Sequence, residues 1–119
     1  MEVTDLMVGN WVVTSDGILK TVTRRDFEDN DFNRYSPIPL TPEILEKNKF
    51  RKNSIETWLY HLDDGNDWFI FDSNNYTIYR KEYNYIKECY EYIELFTVEY
   101  VHELQIILKI CKIKKEIVL

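Results

Sequence analysis

Between Thr97 and Lys112 the apolar residues Tyr100, Val101, Leu104, Ile107, Leu108 and Cys111 recur three and four positions apart. That spacing lines one face of an α-helix. Ile106 and Ile110 widen the stripe and leave only His102, Gln105, Lys109 and Lys112 as a thin polar face. Such a helix must bury most of its circumference. At about 1.5–3 kcal/mol per fully buried large side chain, it is expected to dominate the core.

The rest of the chain alternates in the manner of strands. Trp11 to Ser15 and Ile18 to Arg24 are rich in β-branched and aromatic residues and flank Asp16-Gly17, a dipeptide suited to the positive φ angles of a tight hairpin turn. A two-residue loop pairs Val12 with Thr21 and Trp11 with Val22; a three-residue loop beginning at Ser15 changes these pairings. Asp26 to Asn33 has the composition of a solvated turn or hairpin tip with its two phenylalanines turned inward. The three prolines of Ser36 to Pro42 bar helix until the last of them. Thr41 then suits an N-cap, Pro42 the first helical position and Glu43 the positive end of the dipole, with Leu40 placed to staple onto Leu45. A short helix from Pro42 to about Lys47 follows. It is expected to stop at a left-handed Asn48, with Phe50 folding back.

Ile55 to Leu62, Trp68 to Asp72 and Tyr76 to Lys81 read as three antiparallel strands, with Trp58 and Tyr60 on one face of the first. Glu82 to Phe96 fits two patterns. Ile86, Cys89, Ile93 and Phe96 make a helical stripe, while Tyr90, Tyr92 and Glu94 alternate with Glu91, Ile93 and Leu95 as a strand does. The favoured reading is a turn near Asn84 and a strand from about Cys89 to Phe96. Glu116 to Leu119 can add a short edge strand.

At 119 residues the length suits one domain. The aromatic share of 15 % is high and glycine is scarce, which argues against disorder. The net charge of −6 draws on both halves of the chain and disfavours direct binding of DNA or RNA, whose phosphates require lysine and arginine. Lys109, Lys112, Lys114 and Lys115 make the one local basic excess, where cations complement a helix C-terminus. No run approaches the ~18 apolar residues of a membrane helix, and the N-terminus lacks the pattern of a secretory signal, so a cytoplasmic protein is expected. Cys89 and Cys111, without a second pair, read as reduced core residues.

Chemical motifs are mostly excluded. With glycine only at positions 9, 17 and 65, neither a dinucleotide fingerprint nor a phosphate-binding loop can be written. No serine sits in a nucleophile elbow. His61 and His102 stand far apart in sequence and have no cysteine partners at zinc-site spacing; each reads first as a structural histidine. Asp29 to Asn33 imitates the start of a calcium loop, but Arg34 and Leu40 replace the glycine and glutamate it requires. No cofactor or metal is therefore expected. The residues of the types enriched where proteins bind one another are Trp11, Trp58, Tyr60 and Trp68, which are equally the types that fill cores.

Three blocks, Val8-Gly9-Asn10-Trp11-Val12, Pro37-Ile38-Pro39-Leu40-Thr41 leading into Glu43-Ile44-Leu45, and Tyr100-Val101-His102-Glu103-Leu104-Gln105, span nearly the full chain. In order and spacing they resemble a family of short, uncharacterised proteins of Bacteroidetes genomes and their phages and mobile elements. The chain departs from that family at Lys49, where relatives often carry glycine before the phenylalanine, and after Gln105. The resemblance implies a bacterial or phage setting and no activity. The opening Gly9 to Val12 followed by a hairpin is similar to the start of SH3-like small barrels.

Together these readings give an α+β fold: a strongly curved antiparallel sheet, at its extreme a partly open SH3-like barrel, with one short helix and the C-terminal helix packed on it. The leading functional expectation is a non-enzymatic protein-binding or accessory module, with an exposed apolar patch that holds one or more of Trp11, Trp58, Tyr60 and Trp68. Two alternatives are an acidic decoy that mimics DNA, with carboxylates of Asp26 to Asp31 and Asp63 to Asp67 on one face, and a small enzyme using His61 or His102 with a carboxylate.

Overall fold

The computed structural model describes residues 6–29, 32–62 and 65–119. The fold is α+β, and the strands form two open antiparallel sheets, with no closed barrel among the described residues. The chain packs as two compact units, Met1–Leu40 with Glu99–Glu116, and Thr41–Val98 with Ile117–Leu119.

In the first unit, β1 (Trp11–Thr14) lies between β2 (Leu19–Thr21) and β3 (Tyr35–Ser36). Trp11 pairs with Thr21 and Val12 with Lys20, the register of a three-residue loop from Ser15 to Gly17. Gly17 closes it at φ 79°, where its amide donates to the Thr14 carbonyl. The acidic stretch expected as a solvated turn is instead a short helix, α1 (Arg24–Asp29), followed by a 3₁₀ turn at Phe32–Arg34. The reason is Thr23-x-x-Asp26: the Asp26 carboxylate accepts from the Thr23 amide at 2.7 Å and from the Thr23 hydroxyl at 3.0 Å, which satisfies the helix start as a capping box does. Phe32 is buried and Phe27 half-buried; together they pack on the cluster of Leu6, Val12, Val22 and Tyr35. Asn30 and Asp31 lie outside the described residues.

The C-terminal helix, α3 (Val101–Ile110), also belongs to this unit. Glu103 fixes its start, accepting from the amides of Tyr100 and Glu99 at 3.0 Å each. Val101, Leu104, Ile107 and Leu108 are buried as the periodicity predicts, while Ile110 is exposed and Ile106 half-buried. His102, expected on the polar face, is 4 % exposed and stacks on the Tyr100 ring. Gln105 ties α3 to β1, accepting from the Trp11 amide at 2.8 Å and donating to the Gly9 carbonyl at 3.1 Å.

The second unit is organised by a five-stranded sheet in the order β4 (Arg51–Lys52), β5 (Leu59–His61), β6 (Phe69–Asp72), β7 (Thr77–Asn84), β8 (Cys89–Thr97). Strand β5 begins later than the sequence suggests, because Ile55 is an exposed turn residue. Residues 82–96 resolve as a hairpin, and the helical alternative falls. One cross-strand row runs Tyr60, Phe71, Ile78, Phe96, from the core to the open edge.

Helix α2 (Pro42–Lys47) starts as expected, with the Thr41 hydroxyl accepting from the Ile44 amide at 3.4 Å. It stops differently. Asn48 keeps a negative φ, and Lys49 takes the left-handed conformation at φ 64°. Asn48 is buried and holds the chain's end, donating to the Val118 carbonyl at 2.9 Å and accepting from its amide at 2.8 Å. Those two bonds replace the edge strand expected at Glu116 to Leu119.

Candidate functional site

Strand β6 pairs β7 only from Thr77 to Arg80, with one further bond from the Lys81 amide to the Trp68 carbonyl. Beyond it, Glu82 to Asn84 and Cys89 to Glu91 pair only with each other and project as a two-stranded arm. Such a ribbon is marginal on its own and needs side-chain contacts across it. Here they are aromatic. The Tyr83 ring meets Tyr85 and Tyr90 edge to face at 4.9 and 5.1 Å, and the Lys81 ammonium lies 4.4 Å above the Tyr90 ring. The opposite face is polar nearer the sheet, where Arg80 pairs with Glu82 at 2.6 Å and stacks over Trp68 at 4.8 Å.

The arm's turn is built rather than loose. The Asn84 side-chain oxygen accepts from the amides of Ile86 and Lys87 at 3.0 Å each, and its amide donates to Glu91 at 3.1 Å. Lys87 also reaches Glu91 at 3.2 Å, and Glu88 takes φ 53° to close the loop. These bonds hold Tyr85 and Ile86 outward, at 83 % and 95 % exposure. Tyr90 and Tyr92 continue the exposed surface down one face of β8, and Ile93 is exposed on the other.

The four aromatic residues singled out by the sequence lie elsewhere. Trp11 is half-buried in β1. Trp58 is 39 % exposed, whereas Tyr60 is 2 % exposed and belongs to the core. Burial, and then the charges of Glu46 and Glu43, push the Tyr60 phenol above its usual range. Trp68 is half-buried, held by Phe69 at 5.9 Å and by Arg80. The signal that marks the arm is the crowding of tyrosine: six of the nine fall between positions 76 and 92. Tryptophan content pointed away from it.

Cys89 opens β8 and is exposed, and Cys111 is half-buried; both are free thiols, and Cys89 is not a core residue. The acidic face required of a DNA mimic loses Asp26 to the interior, at 6 % exposure. Glu28 and Asp29 are each matched by an arginine one turn earlier, Arg24 at 3.6 Å and Arg25 at 3.5 Å. Asp63 and Asp64 lie outside the described residues. His61 sits in β5 between Arg51 and Ile70 of the neighbouring strands. Among the described residues no three His, Cys, Asp or Glu side chains are grouped to hold a metal ion, and no helix is long and apolar enough to cross a membrane. Comparison with family models, curated proteins and solved structures finds no match to this chain.

Proposed function

We propose that the chain is a non-enzymatic protein-binding module that engages its partner through the β7–β8 arm. The setting we assign is the cytoplasm of a bacterium, in a protein of the bacterial genome or of a phage or mobile element, as the sequence resemblance implies. The observation that carries the binding reading is Ile86 at 95 % exposure beside Tyr85 on a turn held by four hydrogen bonds and ion pairs. Presenting a large aliphatic and an aromatic side chain to water in one fixed geometry has no benefit for folding. Aromatic residues pre-ordered in this way lose little conformational entropy when they enter a partner's pocket, which is how binding hot spots gain their energy. Trp58 adds a further exposed aromatic residue in the same unit.

The test is a photo-cross-linking residue placed at Ile86 in the native host, compared with one at Ile18, an exposed apolar position on the β1–β2 loop. Position 86 should give discrete cross-linked products that Tyr85→Asp weakens. Equal, diffuse labelling from both positions would sink the reading.

A further inference from the structure

We infer that the outer edge of β8 is a self-association surface and that its occupant is the β8 strand of a second copy of this chain. This deepens the protein-binding reading by naming one partner of the arm, and it rests on the direction of backbone groups.

The Lys81 amide donates to the Trp68 carbonyl at 2.8 Å, so Lys81 directs its backbone polar groups toward β6. Its partner across the ladder, Tyr92, is therefore in a non-hydrogen-bonded pair with β7, and Tyr92 turns its N–H and C=O away from the sheet. By the two-residue alternation, Tyr90 and Glu94 do the same. No strand among the described residues lies beyond β8. Natural sheets blunt such edges with proline, lysine or a bulge. Strand β8, CYEYIELFT, holds no proline or lysine, and its one irregularity, the extra residue Leu95 opposite the step from Ile78 to Tyr79, lies past Glu94. The edge from Tyr90 to Glu94 is open, regular and rich in β-forming residues.

Charge and backbone direction select the register. Antiparallel strands bond only where outward-facing residues meet outward-facing residues, so the symmetry centre must fall on a residue and not between two. A centre on Glu91 or Glu94 would set a carboxylate against its own copy. A centre on Ile93 reaches past the irregularity, and one on Tyr90 runs into the left-handed Glu88 of the turn. A centre on Tyr92 sets Tyr92 opposite Tyr92 and Tyr90 opposite Glu94 on one face, and Glu91 opposite Ile93 on the other. No two carboxylates are opposed, and each Tyr90 phenol faces the Glu94 carboxylate of the other copy. The outward N–H and C=O groups of Tyr90, Tyr92 and Glu94 are then all bonded, and the two arms merge into one four-stranded ribbon.

The arrangement is tested by sedimentation velocity over a wide concentration range, with Tyr92→Pro as the variant. Proline there removes an outward donor and no bond to β7, so far-ultraviolet circular dichroism should be retained while the dimer dissociation constant rises about tenfold or more. The register has its own readout. In a Cys89→Ser, Cys111→Ser background, Tyr92→Cys places two thiols on directly opposed residues about 5.5 Å apart at Cα, within disulfide reach. Mild oxidation should link that variant into a dimer much faster than Ile93→Cys. A chain that stays monomeric at every concentration, or equal linkage at positions 92 and 93, overturns the inference. Tyr85 and Ile86 lie outside the paired stretch. Cross-links from Ile86 to another protein in a monomeric chain would therefore leave the protein-binding reading standing while this one fails.

Discussion

Asp26 shows how much of the first unit hangs on one side chain. Its carboxylate accepts from Lys20 of β2 at 2.7 Å, from the Tyr35 hydroxyl of β3 at 2.6 Å, and twice from Thr23 at the start of α1. Burial alone would raise its pKa, but the hydrogen bonds from Lys20, Tyr35 and Thr23 outweigh burial and hold it far below its ordinary 3.8. The bond to Asp26 in turn lifts the Lys20 ammonium above its usual range. Because the folded carboxyl titrates lower than the unfolded one, the unfolded chain binds the extra proton. The stabilisation is complete above about pH 4 and is lost as the pH falls below it. Asp26→Asn should cost about 2–3 kcal/mol at neutral pH, since it leaves charged and buried donors poorly matched. Urea unfolding at a series of pH values should show the gap between wild type and variant narrowing below pH 4. A gap independent of pH would mean that the carboxyl titrates alike in the folded and the unfolded chain, so that its bonds do not favour the ionised form.

At the scale of elements, the end of α2 is where local chemistry and backbone geometry disagree. The Lys49 amide returns to Glu46 and the Phe50 amide to Leu45, the pattern of a helix closed by a left-handed residue. Lysine at φ 64° carries a Cβ that crowds the backbone, at a cost of about 1 kcal/mol that glycine escapes. Lys49 is exposed, so Lys49→Gly should stabilise the protein by about 0.5–1 kcal/mol, read as a higher urea midpoint with an unchanged slope. A lower midpoint would show that the lysine side chain contributes more than the strain it causes. This position also shows where sequence reading works and where it stops. Alternation and turn residues favoured strands at β7 and β8, because a period of two is a local property, but the same stretch also fitted a helical stripe, and β7 runs on to Asn84, past the expected end at Lys81. They were not enough for α1, whose acidic composition reads as a turn until Thr23 and Asp26 are seen to cap it. Nor could they place His102, which periodicity puts on the polar side and packing buries against Tyr100. The arm escaped for a related reason. Tyrosines at alternate positions indicate a strand, but only the short reach of β6 leaves that strand's far half uncovered.

At the scale of the whole chain, the second unit is closed by residues that follow the first unit in sequence. Ile117 is buried at 4 % exposure, and Asn48 grips both backbone groups of Val118 while also donating to the Ile44 carbonyl at 2.8 Å. Losing Ile117 from the interior costs about 1.5–3 kcal/mol. Each lost hydrogen bond adds about 0.5–1.5 kcal/mol. Deleting Ile117 to Leu119 should therefore lower stability by about 3–5 kcal/mol, a large share of the 5–15 kcal/mol that holds a typical domain. Asn48→Ala should also destabilise, since it removes the same two bonds from the other side. The two changes share partners, so their effects must fall short of additivity by roughly the worth of those bonds, about 1–3 kcal/mol in a double-mutant cycle. Strict additivity would separate the role of Ile117 from the clasp and show that Asn48 matters only through its bond to Ile44. Amide hydrogen exchange gives the spatial check. The truncated chain should lose protection first in β5, β6 and α2, elements of the same unit, although they lie far from the deletion in sequence.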